Sequence, residues 1–155
     1  MKTNEKQTIN LSPMLILSGI VILIAFGMST YAWFQIPAGE QIPVHWGPNG
    51  EPDRFGSRFE GLMLMPIIMT LTIGLLALVP RIDPRKENVV RSQKAYFATW
   101  AGTLIFLLVM HISLILSILG QPINIGLIVP MFVGVLFLII GNYMGNVRHT
   151  YMFVI

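Results

Sequence analysis

Four stretches of this chain are each about twenty residues of nearly unbroken apolar side chains, and no other feature limits its fold as sharply. They run over 11–34, 61–79, 95–119 and 123–145. About twenty helical residues, rising 1.5 Å each, cross the ~30 Å hydrocarbon core of a bilayer. Hydrocarbon offers no water to backbone N–H and C=O groups, so a spanning segment must pair them internally, as a helix does. No period-two alternation runs through the stretches, which argues against a barrel. The expected fold is all-α: a polytopic transmembrane bundle of about four helices, with a short extracellular hairpin-like loop. Charged residues make up only 11% of the chain, against about 25% in soluble domains. So few charges cannot coat a water-facing surface, but they suit one that faces lipid.

The connections read as a tail over 1–10, a loop over 35–60, a basic loop over 80–94, a turn over 120–122 and a tail over 146–155. The first apolar run ends in Tyr31-Ala32-Trp33-Phe34, not in a small-residue cleavage site, so it reads as a retained helix rather than a signal peptide. Basic residues then orient the chain. Lys2, Lys6, Arg81, Arg85, Lys86, Arg91, Lys94 and Arg148 fall on one side, eight of the ten in the sequence. Arg54 and Arg58 lie on the other, among Glu40, Glu51, Asp53 and Glu60. The positive-inside rule makes the richer side cytoplasmic. The expectation is a multi-pass protein of the cell membrane with both termini in the cytoplasm. The pI near 9.5 reports this bias and implies no direct nucleic-acid partner; the partner it implies is the lipid bilayer. There are no cysteines, so disulfides and thiolate chemistry are excluded.

The loop over 35–60 is the most distinctive stretch. Pro48-Asn49-Gly50 is a turn signal, and extended pieces on either side would make a small hairpin. Its bland reading is a compact cap that orders the connection. Its functional reading is a surface for an external ligand, with His45, Trp46, Asn49, Asp53 and Arg54 as candidates. A metal held by His45 with Glu51 or Asp53 has only one histidine and scattered carboxylates behind it, and no metal or other cofactor is expected. His111 lies inside the third apolar run. An ionisable residue there is a functional candidate by default, but no carboxylate sits in any apolar run to relay its proton, which favours a neutral imidazole bonded to a neighbouring helix. In the fourth run Gly134, Gly141, Asn142 and Gly145 form a small-residue pattern suited to close helix packing, and a homo-oligomer stays open. Pro66 and Pro130 lie within apolar runs and are expected to kink them. Asp83-Pro84 reads as a helix start, from which the third helix would run unbroken into the membrane. No phosphate loop, His-Glu-x-x-His, Gly-x-Ser-x-Gly or paired carboxylates occur, so no enzyme is expected.

The run Ile42-Pro43-Val44-His45-Trp46, followed by Asn49-Gly50-Glu51-Pro52-Asp53-Arg54-Phe55-Gly56-Ser57, resembles a bacterial domain of unknown function found in the SdpI immunity family. Ile82-Asp83-Pro84-Arg85 with Asn88, and Gly141-Asn142-Tyr143-Met144-Gly145, also look like that family. The resemblance implies a membrane protein that protects a cell from a secreted membrane-active peptide toxin, and that can hold a transcriptional repressor at the membrane. The family continues into an Arg-Thr-Pro-Trp motif and further helices. This sequence stops at Ile155, where that motif would begin, and so is expected to be a shortened form. A transporter or channel subunit, with His111, Pro66 and Pro130 marking a pathway, is the alternative, and a purely structural bundle is a third.

Overall fold

A computed structural model describes residues 9–145; the two tails beyond, with Lys2, Lys6 and Arg148, lie outside the described residues. The chain forms α1 (Ser12–Gln35), β1 (Ile42–Trp46), β2 (Pro52–Gly56), α2 (Arg58–Ile82), α3 (Lys86–Arg91), α4 (Gln93–Ile118) and α5 (Ile125–Met144). α1, α2, α4 and α5 are each long and apolar enough to cross a membrane. The expected all-α bundle with a hairpin loop is the architecture observed.

Local chemistry sets the ends of these elements. Pro13 stands in the first turn of α1, where its missing N–H is no loss. Ser57 caps α2, its hydroxyl accepting from the Glu60 amide at 3.2 Å. α5 begins after Asn124, whose side-chain oxygen accepts from the Leu127 amide at 3.1 Å. The turn before it uses Gly120 at φ +79°. Between α2 and α4 the structure departs from the expectation of one unbroken helix starting at Asp83. Asp83 is fully buried as the C-cap of α2. Its carboxylate accepts from the Arg85 amide at 2.7 Å, which makes a turn. α3 then lasts six residues, and the chain breaks at Ser92 before α4.

α2 carries two prolines in its interior, Pro66 and Pro80. A helical proline cannot donate to the carbonyl four residues earlier, so it frees the carbonyls of Leu62 and Leu76. An unpaired carbonyl in hydrocarbon is costly. Neighbouring helices supply both donors. Ser29 of α1 donates its hydroxyl to the Leu62 carbonyl at 2.5 Å, and Tyr96 of α4 donates its hydroxyl to the Leu76 carbonyl. α2 can therefore continue through both prolines to Ile82.

α4 is the central helix, packing on α1, α2 and α5. Two apolar clusters fill the bundle. One joins Ala25, Met69, Ile73, Ala77, Tyr96, Trp100 and Leu104. The other, nearer the hairpin, joins Ala32, Ile36, Ile42, Leu62 and Ile115. α5 is peripheral: it packs on α4 and has no extensive contact with α1 or α2.

Candidate functional site

β1 and β2 pair antiparallel, with Ile42 opposite Gly56 and Trp46 opposite Pro52, and an irregular register at His45. The connection is a turn in which the Gly50 amide donates to the Gly47 carbonyl at 2.9 Å. Pro48 pre-sets the backbone at its second position. Gly50 follows at φ +78°, a conformation that other residues adopt only with strain.

Alternation along β1 divides the hairpin into two faces. Ile42, Val44 and Trp46 point toward the bundle. Ile42 is buried against Gly61, at the start of α2, where a side chain would have no room. His45 points away, and its Nδ1 lies 2.5 Å from a carboxylate oxygen of Asp53 on β2. Both remain largely exposed, at 63% and 50% of their side-chain surface. Arg54 donates to Glu60 at 2.6 Å. At the tip, Asn49 donates to Glu51 at 2.9 Å and accepts from the Glu51 amide at 3.2 Å. The five candidates of the loop thus lie on one hairpin, but not as one cluster. Trp46 faces inward, His45 is paired with Asp53, Arg54 is paired with Glu60, and Asn49 is at the turn. Among the described residues no three His, Asp or Glu side chains gather where they could hold a metal ion.

Below the hairpin, Arg58 secures the end of α1. It donates to the carbonyls of Trp33 and Ile36 at 3.2 and 2.8 Å, and its guanidinium lies 4.7 Å from the centre of the Trp33 ring. These carbonyls close α1, where intrahelical donors run out.

The tip rests on α5. A side chain at Gly126 would come within 2.7 Å of the Gly50 Cα, so the approach needs glycine there, and the φ of Gly50 favours glycine on the other side. α2 and α5 both lean on α4 but stand apart from each other. The hairpin bridges the gap between them and roofs an apolar cleft of about 220 Å³. Val44 and Trp46 form its ceiling, with Met65 of α2, Met110 and Ser113 of α4 and Ile128 of α5 among its walls. Sequence reasoning found Trp46 but neither the cleft nor its walls. Methionines and isoleucines within an apolar run carry no sign of which neighbour they face.

His111 is fully buried. A carbonyl can only accept, so His111 Nε2 carries the proton and donates to the Ala25 carbonyl at 3.0 Å. The Ser29 hydroxyl lies 3.3 Å from the same nitrogen. His111 thereby joins the polar layer that pairs the carbonyl freed by Pro66, between the two apolar clusters. Its Nδ1 has no hydrogen-bond partner among the described residues. The glycines of α5 have a different setting. A side chain at Gly134, Gly141 or Gly145 would meet nothing within 4 Å, and Asn142 is exposed. The close contact of α5 with α4 runs instead through Gly102 of α4, packed beneath Leu136 and Ile139.

Residues 20–70, from within α1 through the hairpin into α2, match a family described as Domain of unknown function (DUF1648). The chain is 27% identical over 132 residues to the immunity protein SdpI of Bacillus subtilis, covering 83% of this chain and 58% of that one. It is 35% identical over 66 residues to an uncharacterized protein of Archaeoglobus fulgidus, covering 43% of this chain and 33% of that one. The chain thus spans about a third of one relative and somewhat over half of the other. No solved structure matches. The similarity to the immunity protein SdpI therefore extends over most of the chain, and the four long apolar helices are those of a multi-pass membrane protein.

Proposed function

We propose that this chain is a membrane immunity protein, protecting the cell that bears it against a secreted membrane-active peptide without catalysing a reaction. The similarity to the immunity protein SdpI over 83% of the chain carries this reading; so large a share must take in the hairpin. In the proposed orientation the hairpin lies outside the cell. Two features support it. Arg81, Arg85, Arg91 and Lys94 gather at the opposite end of the bundle, as a cytoplasmic end would have them. At the hairpin end, Arg54 is matched by Glu60 and Arg58 by backbone carbonyls.

The polar face of the hairpin, with His45, Asp53, Asn49 and Glu51 exposed, is then the first protein surface that an amphipathic peptide meets on reaching the membrane. Trp46 anchors that face to the helices beneath. The basic end would engage a transcriptional repressor, and the same charges would hold anionic lipid at about 1 kcal/mol each.

The test is survival of toxin-sensitive cells expressing this chain. Wild-type protein is expected to raise survival in a membrane-active peptide. Trp46→Ala and Asp53→Ala are expected to reduce that protection at least tenfold at equal membrane abundance. If the inserted wild-type protein protects against none of the peptides tried, the immunity reading is wrong.

A further inference from the structure

We propose that the cleft beneath the hairpin is a binding site for one acyl chain of a membrane phospholipid from the leaflet on the hairpin side. This does not depend on the immunity reading or on which side of the membrane the hairpin occupies.

Three observations carry it. The first is depth. The cleft is lined from Gly61 to Ile68 on α2 and from Ile125 to Val129 on α5, with Met110 and Leu114 on α4. Seven helical residues rise about 10 Å. One leaflet contributes about half of the ~30 Å hydrocarbon core, so the cleft occupies the upper part of one leaflet.

The second is chemistry. Ser113 is the one hydroxyl among the helical walls, and it donates to the Val109 carbonyl of its own helix at 2.8 Å. That bond uses the hydroxyl's one hydrogen, and the other side chains of those walls are apolar. An apolar cavity of roughly 150 Å³ stays dry and admits benzene. At about 220 Å³ this cleft is larger and admits a longer run of methylenes.

The third is continuity with the lipid-facing surface. Leu64 and Ile68 of α2 and Val129 of α5 line the cleft and are 46%, 40% and 38% exposed. The gap between α2 and α5 therefore opens sideways, where a lipid chain already lies. The hairpin closes it from above, so entry is lateral. Trp46 sits in the ceiling, at the level where indoles favour the boundary between chain and headgroup.

The experiment places the protein in phosphatidylcholine nanodiscs containing a phosphatidylcholine with a diazirine on its acyl chain. After illumination, adducts are mapped by peptide mass spectrometry. Adducts are expected on Met65 and Met110, beside those on Leu138, which is 74% exposed. Ser113→Phe fills the cleft and is expected to lower the Met65 and Met110 adducts at least fivefold while leaving Leu138 unchanged. Ile128→Trp fills it from α5 and serves if the first variant fails to insert. Wall adducts absent in the wild type, or unchanged in a folded filled variant, would overturn the proposal.

Discussion

A single hydroxyl decides whether a proline can stay inside α2. Ser29 donates to the Leu62 carbonyl that Pro66 leaves unpaired. Ser29→Ala is expected to lower stability by about 1 kcal/mol, in the range of one hydrogen bond between membrane helices. Pro66→Ala restores a backbone donor four residues along. In that background the same Ser29→Ala change is expected to cost less than half as much, because the carbonyl again has its helical partner. Denaturation midpoints in detergent micelles for the four proteins of this cycle measure the coupling. Equal cost in both backgrounds would mean that Ser29 does not serve that carbonyl. Half of this arrangement is legible in the sequence: a proline at 66 within an apolar run announces an orphan carbonyl at 62. Which hydroxyl answers it is not legible, since Ser18, Ser29 and Thr30 of α1 look alike until the helices pack. Ser18 instead accepts from the Trp100 indole at 2.9 Å, and Thr30 bonds within its own helix.

At the level of elements, the hairpin and α5 depend on each other. Gly50→Ala places a side chain in the left-handed region and against the Gly126 backbone. The strain alone is about 1–2 kcal/mol. The expected outcome is a loss of about 1–3 kcal/mol with a change in tryptophan fluorescence as the tip lifts away and carries Trp46 with it. A variant with unchanged midpoint and spectrum would show that the tip does not rest on α5. Gly141→Leu and Gly145→Leu are the contrast: in the isolated chain neither is expected to shift the midpoint, because nothing stands within 4 Å. A shift would reveal a neighbour beyond the described residues. The hairpin itself could be read from Pro48-Asn49-Gly50, whose turn chemistry is local. Its seat on Gly126 could not, because a glycine in an apolar helix looks the same whether or not a strand touches it. The spacing of Gly141 and Gly145 likewise states that a helix can be approached closely, without saying by what.

For the molecule as a whole, composition alone determined the number of spans, because length and hydropathy are summed along the chain and do not depend on packing. Orientation is a separate matter, decided by where the cations lie. Cysteines at Gln41 and Glu87, both exposed, will report it through an impermeant maleimide on intact cells. Labelling at position 41 alone is expected; labelling at 87 alone would invert the topology. The arrangement of spans around α4 was not legible, since every apolar run is equally able to be central. It also bears on how the chain is made. Synthesis delivers α1 first, so when α2 leaves the ribosome the Ser29 hydroxyl is already in the bilayer to meet the Leu62 carbonyl. The Leu76 carbonyl has no such partner until Tyr96 emerges fourteen residues after Ile82. α1 and α2 can thus settle as a pair during translation, with the basic end of α2 held open until α4 arrives to close it.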